Sequence, residues 1–67
     1  MQFPRLAELR NDADIGQKEI GVLLKINQRT YSNYETGKRE IPVHHLIVLA
    51  DFYHTSIDYI VGRSDTK

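Results

Sequence analysis

The 67-residue sequence contains no cysteine and no tryptophan, and its formal net charge is zero. Without cysteine no disulfide bond can form, and this composition fits a reducing compartment. No apolar run approaches the roughly 20 residues needed to cross a bilayer. The opening MQFPRLAELR lacks the apolar segment of a signal peptide. We therefore expect a single cytoplasmic domain over residues 1–67, with no membrane partner.

A neutral chain counts mildly against nucleic-acid binding, because domains with that function are usually basic. The distribution of charge matters more here than its sum. Between residues 25 and 39 one acid, Glu35, stands among the basic residues Lys25, Arg29, Lys38 and Arg39. This stretch is therefore locally positive, although the whole chain is neutral.

Glycine and proline are scarce, and together with polar capping residues they mark the ends of helices. The residues typical of helix starts are Pro4, Asn27, Pro42 and Ser56, and those typical of helix ends are Gly37 and Gly62. Apolar residues recur at helical spacing between these positions, and strand-like alternation is absent beyond a few residues. The sequence predicts a compact all-α fold of five short helices, with a flexible tail over residues 63–67.

The segment 28–36 separates its polar and aromatic residues. At about 100° per residue, one arc of roughly 140° holds the polar side chains of Gln28, Arg29, Ser32, Asn33 and Thr36. Tyr31 and Tyr34 lie on the opposite side, where we expect the core. Amide and guanidinium groups are the side chains that read base edges in DNA. From this face alone, a merely solvated helix surface is an equal alternative.

Its context favours DNA. Two short helices over about residues 16–36, joined by a tight break, form the pattern of a helix-turn-helix. The second helix of this motif enters the major groove, while the first crosses the phosphate backbone. The predicted base-reading residues are Gln28, Arg29, Ser32 and Asn33. The residues predicted to contact phosphates or support the reading helix are Gln17, Lys25, Tyr31, Thr36, Lys38 and Arg39.

The stretch LRNDADIGQKEIGVLLKINQRTYSNYETGKREIP resembles the phage-repressor and Cro-like (Xre-type) helix-turn-helix transcriptional regulators. The joint spacing carries the resemblance, at Arg10, Gln17, Ile20, Leu24, Gln28, Tyr34, Glu35 and Gly37. The resemblance implies a five-helix repressor-like domain that binds operator double-stranded DNA as a homodimer. It also implies that Gln17 supports Gln28, which reads adenine, and that Arg10 forms a structural ion pair with Glu35. A carboxylate at the inner edge of this helix needs such a partner.

Three residues depart from the pattern of this family. Lys25 stands where the family usually has glycine, and a positive φ there would cost roughly 1 kcal/mol. Gly21 replaces the usual alanine at the close approach of the two helices. Tyr31 replaces an aliphatic residue, and we expect its ring in the core with its hydroxyl at the DNA edge.

The C-terminal third is strongly apolar. Leu46, Leu49, Ala50 and Phe52 share a helical stripe and are expected in the core. The last short helix carries more apolar side chains than its own core needs. We therefore predict a dimer interface formed by Tyr53, Ile57, Tyr59, Ile60 and Val61.

No motif indicates catalysis, a metal or a cofactor. His44, His45 and His54 lack the spacing of a metal site, and no nucleophile elbow or phosphate-binding glycine loop occurs. We expect a sequence-specific DNA-binding transcriptional repressor that is not an enzyme. The alternative is a protein-interaction module on the same scaffold, antitoxin-like or regulator-sequestering. The sequence identifies no regulatory protein partner.

Overall fold

A computed structural model describes residues 2–66 of the chain. Within these residues the chain forms five helices. They are α1 (Pro4–Asp12), α2 (Gln17–Leu24), α3 (Gln28–Thr36), α4 (Val43–Tyr53) and α5 (Ile57–Ile60). No strand occurs within those residues, so the predicted all-α, five-helix fold is confirmed. None of these helices is both long enough and apolar enough to span a membrane.

The helix ends follow from local chemistry. The Asn27 side chain accepts a hydrogen bond from the Thr30 N–H at 2.7 Å, and Ser56 accepts from Tyr59 N–H at 3.0 Å. These bonds satisfy backbone donors that a helix start leaves free. Gly37 ends α3 in the left-handed conformation, with φ of 82°. These sequence-based boundaries are confirmed.

One core collects side chains from every helix. Its buried members are Leu6, Leu9, Ile20, Leu24, Tyr31, Tyr34, Ile41, Leu46, Leu49, Ala50 and Ile60. The expectation of a core stripe on α4 is confirmed for Leu46, Leu49 and Ala50. It is wrong for Phe52, which is 44% exposed because it lies just outside the inward arc of that helix.

The turn between α2 and α3 is tight. Lys25 has φ of 60° and ψ of 39°, the left-handed conformation in which a side chain is unfavourable. A Cβ added at Gly21 would lie only 3.0 Å from the carbonyl oxygen of Ile26. The backbones of the turn and of α2 therefore touch, and this contact sets the angle between α2 and α3.

The C-terminal tail lies against α1 through Arg5. The Arg5 guanidinium stacks 3.9 Å from the centre of the Tyr59 ring and donates to the Tyr59 carbonyl at 2.8 Å. It also donates to the Ser64 carbonyl and contacts the Asp65 carboxylate at 3.4 Å. The tail predicted to be flexible thus has contacts over its described part, and Lys67 lies outside the described residues. Its flexibility in solution stays a prediction.

Candidate nucleic-acid interface

The outer face of α3 presents polar side chains to solvent. Gln28 and Arg29 are exposed, and Ser32 and Asn33 are partly exposed. Within residues 2–66 the side chains of these four residues make no hydrogen bond to the protein. Their donors and acceptors are therefore available to a ligand that approaches this face.

The inner face of α3 is tied to α1 by a buried ion pair. Arg10 Nε lies 2.7 Å from Glu35 Oε2, and Arg10 Nη2 lies 3.1 Å from Glu35 Oε1. The side chains are 14% and 6% exposed. Arg10 also donates to the Ile15 carbonyl at 3.0 Å, so its fork is used on two sides. The hydrogen bonds that Arg10 donates to Glu35, together with the negative charge of that carboxylate, raise the Arg10 pKa, although burial opposes them.

Gln17 has a different partner from the one that the family resemblance implies. Its Nε2 donates to Glu35 Oε1 at 3.0 Å, and within residues 2–66 it makes no hydrogen bond to Gln28. The amide at the start of α2 therefore supports the end of α3 rather than its beginning. Burial alone would raise the pKa of Glu35, but the hydrogen bonds from Arg10 and Gln17 outweigh it and lower that pKa.

Tyr31 is fully buried. We expected its hydroxyl at the DNA edge, and this prediction is wrong. Within residues 2–66 this hydroxyl lies inside the protein and makes no hydrogen bond of ordinary geometry, and neither does that of Tyr53. The ring fills the space between the helices, and its length carries the oxygen inward. A phosphate contact by Tyr31 is therefore ruled out in this conformation. Burial raises the pKa of both hydroxyls, that of Tyr53 to about 12.

A cluster of cations surrounds α3. Lys25, Arg29, Lys38 and Arg39 are exposed, and none forms an ion pair within residues 2–66. The only acid of this stretch, Glu35, is buried and neutralised by Arg10. The surface formed by residues 25–39 is therefore more positive than the count of charged residues in this segment suggests.

The start of α2 offers backbone donors beside this cluster. Gly16 is the N-cap, and its N–H donates to the Glu19 carboxylate at 2.6 Å. Gln17 and Lys18 follow, with N–H groups at the positive end of the helix dipole. Such an end suits a phosphate group. The Glu19 carboxylate shares this end and reduces its positive potential.

The C-terminal segment is more deeply buried within one chain than its predicted role as a dimer interface implies. Ile60 is 1% exposed and belongs to the core, so it is wrong as an interface residue. A short helix can bury only one side, and Ile60 occupies that side. The remaining predicted interface residues pack against the core while staying partly exposed, namely Tyr53, Ile57, Tyr59 and Val61. Their role in a dimer stays a prediction.

The histidines lie on α4 and just after it. His45 is buried, with its ring 6.0 Å from that of Tyr34 and 4.2 Å from that of His44. Burial lowers the His45 pKa, and the neighbouring His44 lowers it further. A neutral imidazole in the core explains His45 without a metal ion.

The sequence analysis did not predict two features of the structure. Gln2 Nε2 donates to the Glu35 carbonyl at 3.0 Å and so caps the end of α3 across the molecule. No local pattern signals such a contact, because the partners are far apart in the chain. The second feature is the exposed apolar half of α4, whose signal was the excess of apolar residues around that whole helix.

Comparison with known proteins places this geometry in context. A family model described as "Helix-turn-helix" matches residues 6–60. The chain is 36% identical over 67 residues to "HTH-type transcriptional regulator AnsR" of Bacillus subtilis (strain 168), covering 58% of that protein. It is also 36% identical over 63 residues to "HTH-type transcriptional regulator ImmR" of the same strain, covering 50% of it. The chain thus spans little more than half the length of these curated relatives.

A solved structure, "Crystal structure of transcriptional regulator from Listeria innocua", superimposes with a TM-score of 0.86. The match covers 98% of this chain and 63% of that one, at 31% sequence identity. The relatives found by sequence and the structure found by fold are therefore all described as transcriptional regulators.

Proposed function

We propose that this chain, which belongs to the Xre-type helix-turn-helix family, binds double-stranded DNA sequence-specifically and represses transcription. Membership of the family rests on the model that matches residues 6–60. The observation that carries the proposal is the outer face of α3. Its hydrogen-bonding side chains have no protein partner within the part of the chain that the structure describes, and the inner side of the helix is held by the buried Arg10–Glu35 ion pair.

Base reading is assigned to the side chains of Gln28, Arg29, Ser32 and Asn33. Gln and Asn present a donor and an acceptor side by side, which matches the edge of adenine in the major groove. Arg presents two donors, which match guanine. Gln28 and Arg29 lie in the first turn of α3, the end that enters the groove in this motif. We therefore assign the strongest base preferences to these two.

Phosphate contacts are assigned to the residues that border α3. The exposed cations Lys25, Lys38 and Arg39 carry charge without an internal partner within residues 2–66. Thr36 and the backbone N–H of Gln17 add neutral donors. Contacts of this kind orient a protein on the duplex, while the bases supply the sequence preference.

The proposal includes a homodimer that reads a near-palindromic operator in the cytoplasm, without enzymatic activity. Dimers of this motif contact half-sites about one helical turn, or roughly 34 Å, apart. The alternative function is a protein-interaction module, antitoxin-like or regulator-sequestering, on the same scaffold. In that case a protein partner, rather than DNA, would cover the outer face of α3.

A selection experiment separates these functions. Random duplexes are enriched on the pure protein at moderate salt, and the enriched pool is sequenced. We expect a near-palindromic consensus, because two α3 helices would read related half-sites. A pool without consensus, together with no retention of any duplex at low salt, would favour the protein-interaction alternative. A reporter gene behind the selected operator then tests repression.

A further inference from the structure

Gln2 lies against the end of α3. Its side-chain Nε2 donates to the Glu35 carbonyl at 3.0 Å, although the two residues are 33 positions apart in the chain. A Cβ placed on Gly37 would lie 3.0 Å from the Gln2 Cβ and 3.4 Å from the Gln2 Cα. Because Gly37 also has φ of 82°, glycine is required there both for the conformation and for this close approach. The backbones of Gln2 and Gly37 are therefore closely packed.

The position of Gln2 is set by α1. Phe3 is the N-cap residue of α1 and packs against the core, and Pro4 follows in the first turn. Proline fixes the backbone at such a helix start. The same helix carries Arg10, which holds the Glu35 carboxylate. Helix α1 thus binds Glu35 twice, at the carbonyl through Gln2 and at the carboxylate through Arg10.

The turn that Gln2 contacts leads directly to two cations. Lys38 and Arg39 follow Gly37 and are exposed, and the Arg39 N–H donates to the Asn33 carbonyl at 3.2 Å. This bond links the turn to the backbone of α3. Gly37 has no side chain that could stabilise the turn from within, whereas Gln2 packs on it from outside. The direction in which Lys38 and Arg39 leave α3 therefore depends on Gln2.

We propose that Gln2 is a positioning residue for the phosphate contacts of Lys38 and Arg39. This role rests on the proposed DNA binding and adds to it a residue that lies outside the helix-turn-helix. Phosphate contacts fix the register of a protein on the duplex, so their cations must be held at a defined place. Gln2 acts through the backbone of Glu35 and Gly37 and needs no contact with DNA.

Gln2→Met tests this role, because methionine keeps the length of the side chain and removes the donor. The affinity for operator and for scrambled duplex should fall alike, by about three- to tenfold, the range that the loss of one hydrogen bond allows. The salt slope of binding should fall by up to about 1.8 units per subunit, since two phosphate contacts contribute about 0.9 each. Asn11→Leu is the matched control, because it removes an exposed amide from the same helix. It should bind both duplexes like the parent.

A double-mutant cycle separates positioning from direct contact. The cycle is measured at low salt, where a variant that lacks two cations still binds. In the Lys38→Ala/Arg39→Ala background, Gln2→Met should change the affinity by less than about twofold, because the groups that Gln2 positions are gone. An equal loss in both backgrounds would make Gln2 a phosphate ligand itself and would overturn the proposal.

Amide hydrogen exchange tests the positioning without DNA. The Arg39 N–H should exchange about three- to tenfold faster in Gln2→Met than in the parent, while core amides of α1 and α4 keep their protection. Unchanged exchange at Arg39, or faster exchange throughout the protein, would overturn the proposal. So would a Gln2→Met variant with the affinity and salt slope of the parent.

Failure of the proposed function has a different signature. A parent that retains no duplex at low salt would overturn DNA binding itself, whereas the exchange rate of the Arg39 amide would still decide whether Gln2 positions the turn. A parent that binds DNA and is indistinguishable from Gln2→Met would overturn only the role of Gln2.

Discussion

The two faces of α3 use their polar groups in opposite ways. On the inner face, Glu35 accepts from Arg10 and Gln17, and hardly any of its surface reaches solvent. On the outer face, Gln28 and Arg29 are exposed and have no protein partner within residues 2–66. On the inner side of this nine-residue helix the carboxylate of Glu35 is therefore fully paired, whereas the side chains of Gln28 and Arg29 on the outer side are available to a ligand.

The difference indicates a division of work. Buried polar groups must be satisfied, and a fully satisfied network rigidifies the elements that it joins. Exposed polar groups without internal partners can exchange water for a ligand at little cost. Variants on the inner face should change stability first, and variants on the outer face should change recognition first.

The largest effect is expected from Glu35→Gln. The substitution leaves the buried Arg10 guanidinium without its carboxylate, and breaking a buried ion pair costs about 3–5 kcal/mol. Urea unfolding measures the free energy of unfolding. Glu40→Gln is the matched control, because Glu40 is exposed and should change stability by less than about 0.5 kcal/mol. Equal loss in both variants would contradict a special role for the inner face.

Acid should lower the free energy of unfolding in two stages, one from His45 on α4 and one from Glu35 on α3. The pKa of His45 is lowered by burial and by His44, so stability falls as the pH drops below about 6.5, its unfolded value. The pKa of Glu35 is also lowered, because hydrogen bonds from Arg10 and Gln17 outweigh burial. Its contribution is present above about pH 4.3 and is lost as the pH falls through the folded value.

Urea unfolding at several pH values measures both stages. His45→Gln should flatten the first stage and Glu35→Gln the second. A pH profile that keeps its shape in either variant would mean that another group titrates in that range.

On the outer face, Gln28→Ala and Arg29→Ala should each cost about 1–3 kcal/mol of binding free energy on the selected operator. Each should also relax the preference at one or two base pairs, while the free energy of unfolding stays within about 0.5 kcal/mol of the parent. Titration on operator and scrambled duplex measures both effects. Equal losses on the two duplexes would show that α3 does not read bases.

Lys25→Gly should separate the two effects, because Lys25 influences both the stability of the turn and the positive charge beside α3. Glycine relieves the left-handed conformation and should stabilise the protein by roughly 1 kcal/mol. The same change removes an exposed cation next to α3, so binding to every duplex should weaken. The free energy of unfolding should therefore rise, while the affinity for DNA should fall. A variant that gains stability and keeps its affinity would remove Lys25 from the phosphate contacts.

The smallest effect is expected from Lys38→Ala. It should weaken operator and scrambled DNA alike and reduce the salt slope of binding by about one unit per subunit. Arg63→Ala is the control, since Arg63 is exposed but lies in the tail. If Lys38→Ala changes sequence preference, the division between phosphate and base contacts is misassigned.

Local features of this fold were predictable from the sequence, and distant ones largely were not. Asn27, Ser56 and Gly37 act on their own neighbours, so their residue types sufficed to predict the helix ends. The polar outer face of α3 followed from helical periodicity in the same way. The pairing of Arg10 with Glu35 needed the family resemblance, because the two are far apart in sequence.

The wrong predictions all concern how deeply a side chain is buried, which the sequence pattern alone does not determine. Where a helix is apolar nearly all round, as α4 is, periodicity does not reveal which half is buried, and Phe52 was assigned to the wrong one. In α5, hydrophobicity alone did not distinguish Ile60 in the core from neighbours that are partly exposed. For Tyr31, the sequence indicated the direction of the ring but not how deep the hydroxyl would lie.

The fastening of α3 at both ends has a consequence for the entropy of binding. Asn27 caps its first turn, while Gln2 and Arg10 hold the last turn through the carbonyl and carboxylate of Glu35. Ordering a flexible backbone costs about 1–2 kcal/mol per residue, and that cost is met here during folding. A ligand on the outer face need order only a few side chains, at about 0.5–1.5 kcal/mol each. Binding through this helix should therefore show a small entropic penalty from the protein.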